Sequence, residues 1–384
     1  MRRGSSLSVP FLRRASKSDV TAPERALDSG YTLDFGARCV LLFLGVALAF
    51  AVVAPVDALF FDEPLLAERP PQGGLYFALR TALACMMARL VVGEVYRNRS
   101  EASAFETVRR GSVPGILAAS IVVILALASA ALLRLDPVQF SQLAVEDSVF
   151  EWASAAALFG GSLLLLATVI KLARQPHGHR RGIFPALLLS GLLFLIAMEE
   201  ISWFQRVLDL HTPPWLMEIN HQDEMNLHNI VTDQVENAYY FGAFIFLVLL
   251  PFIADAAPRW RLVERFGDFV PGRFVVVVGA MATAFCYTMW NILWIQFSVF
   301  ASVFILIAYA AAAVRGERRG EAAMFIGAAI ALAVIQAIVL ASGSILVRRW
   351  EDTEFKELLI AIGLLAAAAE ATWRIWRRPD LEPG

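Results

Sequence analysis

The residues best suited to chemistry lie around two adjacent glutamates that follow an apolar run. Glu199 and Glu200 end the segment GIFPALLLSGLLFLIAMEE, and the polar segment EINHQDEMNLHN comes shortly after it. Carboxylates act as general acids or bases, and together with histidine they bind divalent metal ions. In the polar segment, Glu224 and His228 share a face whether the backbone is extended or helical. We therefore predict a metal site formed by Glu200, Glu224 and His228.

A second group of acids precedes another apolar run, in the sequence VEDSVFEW. Its Asp147 and Glu151 are four residues apart, so in a helix they lie on one face and repel each other. At the edge of a membrane, an arginine, a shared proton or a metal ion has to offset this repulsion. We predict Glu199 or Glu151 as the catalytic base. The further candidate site residues are Asp147, Arg206, Asn220, Gln222 and Asn226.

The composition indicates a membrane protein rather than a soluble domain. Of the 384 residues, 58% are hydrophobic and only 18% are charged, and the mean hydropathy is +0.61. Apolar runs of about 18 residues are long enough to cross a hydrocarbon core about 30 Å thick. We predict an all-α, polytopic helical membrane protein. All three cysteines fall inside apolar runs, so neither a disulfide framework nor a cysteine metal site is predicted.

The apolar runs predict about ten transmembrane helices in a single bundle over residues 39–374. Their approximate bounds are 39–55, 75–95, 113–133, 148–170, 183–203, 238–254, 273–290, 295–314, 322–347 and 356–374. The seventh and eighth come from one 41-residue run, with Asn291 as the predicted turn between them. The flanking segments 1–38 and 375–384 are predicted to be cytosolic tails, and the first of them to be disordered.

The distribution of Lys and Arg predicts the orientation of this bundle. With the N-terminus inside, the predicted cytoplasmic segments hold 25 of the 33 basic residues, the outer segments hold 6, and two lie in the second span. Cytoplasmic loops carry such an excess. Both termini are therefore predicted to be cytoplasmic, which places Glu151, Glu199 and Glu200 at the outer membrane face. The outer connection 204–237 is predicted to fold over this end as short helices around Pro213 and Pro214.

Three other charged residues fall inside predicted spans. Arg80 and Arg89 are predicted to extend to opposite membrane interfaces. Arg80 and Arg206 are also the outer-side arginines that are candidates for neutralising part of the predicted group of outer acids. Glu370 lies near the inner end of the tenth span, and no motif around it indicates a function.

Three motifs stand out in the chain, namely VEDSVFEW, MEEISWFQR and NHQDEMNLHN. Together they resemble an ED-x-x-x-E-[WY] helix start, an EEISW-x-QR helix end and an N-x-Q-x-E-x-NLHN loop found in a group of bacterial multi-spanning membrane proteins that have no established activity. The resemblance implies a multi-pass protein of a bacterial cytoplasmic (inner) membrane. The matching positions are Glu146, Asp147, Glu151, Glu199, Glu200, Ser202, Trp203, Gln205, Arg206, Asn220, Gln222, Glu224, Asn226, Leu227, His228 and Asn229. Phe204 departs from the pattern, because the group has a small residue, usually glycine, at this position.

Three functions stay open on the sequence alone. The first is a metal-dependent hydrolase or transferase acting on a lipid or lipid-linked substrate from the outer, periplasmic face, with zinc, iron, manganese or calcium as the metal. The second is a proton- or cation-coupled transporter that uses the same acids. The third is a non-catalytic membrane assembly protein. A membrane lipid or lipid-linked molecule is the predicted partner, and no nucleic acid is predicted.

Overall fold

The structure is a computed structural model that describes residues 24–61, 66, 68–99, 112–144, 148–175, 181–205, 207–220, 225–226, 230–346 and 352–378. These residues are predominantly helical and contain no β-strand. The all-α fold predicted from the sequence is therefore confirmed. The described residues divide into two compact units on either side of Leu44, and the candidate site lies in the second, which begins at Gly45.

Fifteen α-helices follow one another among the described residues. In chain order they are α1 (Glu24–Phe60), α2 (Leu75–Arg97), α3 (Val113–Leu135), α4 (Pro137–Leu143), α5 (Val149–Ala173), α6 (Ile183–Glu200), α7 (Pro214–Met217), α8 (Thr232–Phe244), α9 (Leu250–Ala256), α10 (Arg261–Phe266), α11 (Arg273–Met281), α12 (Leu293–Arg315), α13 (Arg319–Ala341), α14 (Gly343–Leu346) and α15 (Asp352–Trp376). α1 begins inside the segment that the sequence predicted as a disordered tail. Residues 1–23 of that tail lie outside the described residues.

Nine helical segments in the described part of the chain are long and apolar enough to cross a membrane. They correspond to nine of the predicted spans, and they make the chain a multi-pass membrane protein. One of them, Thr232–Ala256, combines α8, a π-helical turn at Ile245–Leu249 and α9. Pro251 follows this turn and has no N–H to donate to the preceding turn of the helix, which accounts for the local change of hydrogen-bond pattern.

The seventh predicted span is not a continuous helix. α11 ends after 9 residues, and the chain then runs irregularly until α12 begins. Every residue from Arg273 to Met289 is buried, and Asn291 lies in the turn before α12. Irregular backbone at membrane depth is stable only where protein surrounds it. The prediction of a continuous seventh span is therefore wrong. The residues of this run are apolar because they are buried inside the protein, and not because they contact lipid.

α5 holds together the two helices that carry most of the candidate site, α6 and α15. The hydroxyls of Ser162 and Ser190 each donate to the other's backbone carbonyl at 2.9 Å, which joins α5 to α6. Thr168 donates to the Thr372 hydroxyl at 3.0 Å, which joins α5 to α15. A Cβ atom at Gly161 would lie only 3.0 Å from a methyl group of Leu193, so glycine permits this close approach.

Residues that are far apart in the sequence contact each other, and in each case both residues lie at the same predicted end of the bundle. At the inner end, Arg273 pairs with Glu321 at 2.8 Å, and Arg315 donates to the Tyr96 hydroxyl. At the outer end, Arg69 donates its backbone N–H to the Thr288 carbonyl at 2.9 Å. This segregation agrees with the predicted alternation of the spans. The assignment of one end to the cytoplasm stays a prediction from the charge distribution.

Arg80 is buried and forms an ion pair with α1. Its side chain is 4% exposed, and its Nη1 donates to a carboxylate oxygen of Asp57 at 2.5 Å. Tyr76 donates to the same carboxylate. Asp57 lies near the C-terminal end of α1, which is the predicted outer end, so this ion pair holds the Arg80 side chain toward that end. Arg80 therefore forms an ion pair with Asp57. It does not neutralise the predicted outer acids.

Glu370 joins three parts of the bundle at the predicted inner end. Its carboxylate, which is 1% exposed, accepts a hydrogen bond from the backbone N–H of Gly272 at 2.6 Å and pairs with Arg374 at 2.8 Å. It also accepts a hydrogen bond from Ser112, the N-cap residue of α3. The side chain that sequence analysis left without a role therefore connects α3, the start of α11 and α15.

We expect Glu370→Ala to destabilise the protein by about 1–3 kcal/mol, because it leaves the backbone N–H of Gly272 and the Ser112 hydroxyl without their acceptor. Thermal unfolding of the detergent-solubilised protein measures the effect. Glu264→Ala is the matched control, since Glu264 is exposed on α10 and its loss changes stability by no more than about 0.5 kcal/mol. Equal unfolding temperatures for the two variants would contradict the structural role of Glu370.

Candidate functional site

The two glutamates at the end of α6 lie at the predicted outer end of the bundle. Both are half-buried, and Glu200 is the last residue of the helix. The indole N–H of Trp203 donates to a carboxylate oxygen of Glu199 at 2.8 Å. Glu199 is therefore held toward the loop that follows α6, whereas Glu200 belongs to a larger group of acids.

Acids from the first turns of α5 and α15 act on Glu200. Glu200 experiences the electrostatic effect of Glu357, Glu354 and Glu151. All three are carboxylates, so each raises the electrostatic cost of a negative charge on Glu200. The structure thus brings together Glu151 and Glu200, two of the residues predicted from the sequence, and adds two glutamates from α15.

α8 adds a second group of acids that is continuous with the first. Glu236 experiences the negative charges of Glu68 and Glu357, so its carboxyl group belongs to the same electrostatic cluster. The Tyr240 hydroxyl donates to Glu357 at 2.5 Å. Carboxylates that act on one another in this way repel when all of them are ionised. The structure therefore gathers several mutually repelling carboxyl groups within one site.

An elongated cavity of about 760 Å3 begins at these acids and runs between α6, α8 and α15. Polar groups are confined to one end of it, whereas 17 of the 22 described lining residues are apolar. The five polar lining residues are Glu199, Glu200, Glu236, Tyr239 and Glu357. Along α15 the cavity extends from Glu357 to Ala371, a distance of roughly 21 Å at about 1.5 Å per helical residue.

Lys356 points away from the cavity, although it is the neighbour of Glu357 in sequence. Its side chain is 2% exposed, and its ammonium nitrogen lies 2.7 Å from the sulfur of Cys286 and 4.4 Å from the centre of the Tyr240 ring. Cys286 belongs to the irregular segment after α11, and Gln336 donates to its backbone carbonyl at 3.0 Å. A cation beside the C-terminal end of α11 is favoured by the helix dipole. Through its contact with Cys286, Lys356 thus holds the irregular segment that follows α11 beside the acids.

The outer connection between α6 and α8 forms a hydrogen-bonded cap that contains α7, the short helix predicted around Pro213 and Pro214. Asn220 donates to the backbone carbonyl of Asn226 at 2.9 Å, and Asn226 donates to the Ser202 hydroxyl at 3.2 Å. Both asparagines are buried. In the structure these two predicted site residues therefore hold the cap together, and neither lines the cavity.

A left-handed turn connects α6 to this cap. Ser202, Trp203 and Phe204 have φ angles of 46°, 56° and 62°. Left-handed backbone costs a residue with a side chain roughly 1–2 kcal/mol and costs glycine little. Phe204 stands where the resemblance leads us to expect glycine. Glycine would therefore suit the backbone at this position.

Several predicted site residues lie outside the described residues, namely Asp147, Arg206, Gln222, Glu224 and His228. The predicted metal site of Glu200, Glu224 and His228 consequently has only Glu200 in the described part. Within that part, no group of three or more His, Cys, Asp or Glu side chains has the arrangement of a metal site. Metal binding at this end of the bundle stays a prediction.

Four of the seven glutamates that meet here were not predicted from the sequence, namely Glu68, Glu236, Glu354 and Glu357. Glu236 lies in the first turns of α8 within TDQVENAYY, and Glu354 and Glu357 lie in the first turns of α15 within DTEFKE. Both segments enter the bundle from the predicted outer side. The reasoning that selected Glu151, an acid at the outer start of a span, would have selected these residues too.

No protein-family model, no curated protein and no solved structure matches this chain. The function of the site is therefore inferred from its own geometry.

We expect Phe204→Gly to keep or slightly raise stability, by up to about 1 kcal/mol, because it relieves left-handed strain at a half-exposed position. Phe204→Val should lower stability by about 1 kcal/mol, since a β-branched side chain is least suited to positive φ. Thermal unfolding in detergent compares the two variants. If valine proved as stable as glycine, the left-handed turn would be contradicted.

Proposed function

We propose that this chain is an integral membrane enzyme, a hydrolase or transferase, that acts on a lipid or lipid-linked substrate. The observation that carries the proposal is the position of the carboxylates at one end of an elongated apolar cavity. An apolar cavity suits the hydrocarbon part of a lipid, and a cluster of acids suits chemistry on its polar headgroup. The predicted orientation places this headgroup at the outer face of a bacterial cytoplasmic membrane.

The carboxyl groups have complementary tasks in such a reaction. Glu200, Glu236 and Glu357 face the cavity, and in the proposed reaction one of these carboxyl groups donates a proton while another accepts one. General acid–base catalysis requires one group of each kind within reach of the reacting bond. Tyr240 orients Glu357 by donating to it. The predicted bases Glu199 and Glu151 flank Glu200 in the same region.

A divalent metal would supply Lewis-acid chemistry at this place, by polarising an ester or phosphoryl oxygen and activating water. Carboxylate oxygens suit manganese or calcium, and addition of His228 suits zinc or iron. We retain Glu200, Glu224 and His228 as the proposed ligands. Proton transfer among the carboxyl groups of the described residues does not depend on this metal.

A proton- or cation-coupled transporter is the second candidate, favoured by one observation. α11 is a discontinuous helix whose irregular continuation is buried beside a lysine, and discontinuous helices form the ion and substrate sites of many transporters. The acids, however, lie at one end of the cavity rather than at its middle. Proton-coupled uptake into liposomes that disappears in Glu199→Gln would favour this function over the enzyme.

We expect Glu200→Gln and Glu357→Gln to slow turnover by about 100-fold or more, the usual contribution of general acid–base catalysis. The measurement is mass spectrometry of bacterial lipid extract incubated with the reconstituted protein. Glu218→Gln is the control, because Glu218 is exposed in the same outer connection and does not line the cavity. Unchanged turnover in both cavity variants, or no lipid conversion by the natural sequence, would contradict the enzyme and favour a non-catalytic assembly protein.

We expect the purified protein to contain a stoichiometric divalent metal that is lost in Glu224→Ala and in His228→Ala, because removal of one ligand weakens a three-ligand site strongly. Elemental analysis of the protein in detergent measures it. Protein with no stoichiometric metal, in the natural sequence and in both variants, would contradict the proposed ligands and leave the carboxyl groups as the reaction centre.

A further inference from the structure

The wall of the cavity indicates the chemistry of its occupant. α8 contributes Ala238 and Gly242, and α15 contributes Ala367 and Ala371, so that small side chains create the space between the helices. Apolar cavities of this kind are poor sites for water, because water needs several polar partners. A cavity of about 760 Å3 is within the range of small-molecule sites. Its apolar part therefore suits a hydrocarbon chain.

The cavity reaches the side of the bundle between α6 and α8. Leu192 and Leu195 on α6 and Val235 on α8 line it and are nevertheless 48%, 46% and 39% exposed. α6 packs mainly on α5, and the described parts of α6 and α8 share no extensive interface. In a membrane, the side of the bundle is covered by lipid chains. A hydrocarbon chain can thus pass from the bilayer into the cavity without crossing water.

The polar end contains a group that lacks a partner within the described residues. The Tyr239 hydroxyl is buried, lines the cavity and makes no hydrogen bond there. A buried hydroxyl without a partner costs roughly 1–3 kcal/mol, so a ligand that supplies one is favoured. A lipid headgroup held at Glu200 and Glu357 would lie beside this hydroxyl.

From these three observations we infer that the cavity binds a single hydrocarbon chain of a membrane lipid, which enters sideways between α6 and α8 with its headgroup at the acids. The inference rests on the proposed function for the role of the headgroup. Phe269 and Ala371 line the end of the cavity opposite the acids. They limit how deeply the chain can insert, and they therefore set the longest chain that binds.

Gly242→Leu tests the chain subsite directly. A Cβ atom at this position meets nothing within 4 Å, so the new side chain extends into open space while leucine favours the helix. We expect binding of a monoacylglycerol, measured by native mass spectrometry, to weaken about tenfold, as the loss of roughly two buried methylene contacts would. Gly191→Leu is the matched control, because its Cβ also meets nothing within 4 Å and it does not line the cavity.

Chain length tests the floor of the cavity. Saturated monoacylglycerols of increasing length form one series and polyprenyl alcohols of increasing length form the other, so the preferred series identifies the chain type. Ala371→Leu should shorten the longest chain that binds in the preferred series, and Gly242→Leu should weaken all members of it. Because Ala371 is packed in the core, its variant is compared only after its unfolding temperature matches that of the natural protein.

Binding in the Glu200→Gln variant separates this inference from the proposed enzyme. Chain binding that persists in this variant while turnover is lost supports both. Chain binding without turnover in the natural protein contradicts the enzyme and leaves the chain subsite intact. Equal binding by Gly242→Leu, Gly191→Leu and the natural protein, or no binding of either series, would overturn the subsite.

Discussion

Repulsion among carboxylates at the end of an apolar cavity is the constraint on which the rest of the site depends. Two like charges about 4 Å apart cost roughly 4 kcal/mol at an effective dielectric constant near 20. Glu200 experiences the charges of Glu357, Glu354 and Glu151, and Glu236 experiences those of Glu68 and Glu357. Shared protons, the phenol of Tyr240 and a bound cation each reduce this cost. The same proton sharing prepares the carboxyl groups for acid–base chemistry.

The helices around the acids have to be rigid for such a cluster to persist. α5 supplies this rigidity, since paired serines attach it to α6 and paired threonines attach it to α15. The irregular segment after α11 is held in turn by Lys356, whose ammonium contacts Cys286 beside the acids. On α8 and α15 small side chains leave the cavity open where the other helices pack closely.

The membrane fold and one side of the site could be predicted from the sequence, and particular residues show why. Long apolar runs predicted α3, α5 and α12 because crossing lipid requires continuous hydrophobicity. The same rule was wrong for the run after Arg273, since burial within protein produces the same composition. Glu151 and Glu200 were found through their positions at helix ends. Glu357 lies at the outer start of a span and could have been found by the same rule, whereas the pairing of Arg80 with Asp57 depends on helix packing, which residue spacing along one chain does not reveal.

We propose that the acids contact the headgroup of a lipid whose chain fills the cavity. The most direct test is electron cryomicroscopy of the protein in nanodiscs of bacterial lipid extract. We expect continuous, elongated density between α6 and α8, with its polar end beside Glu200, Glu357 and Tyr239. A cavity closed by side chains, or density confined to ordered water, would contradict this proposal.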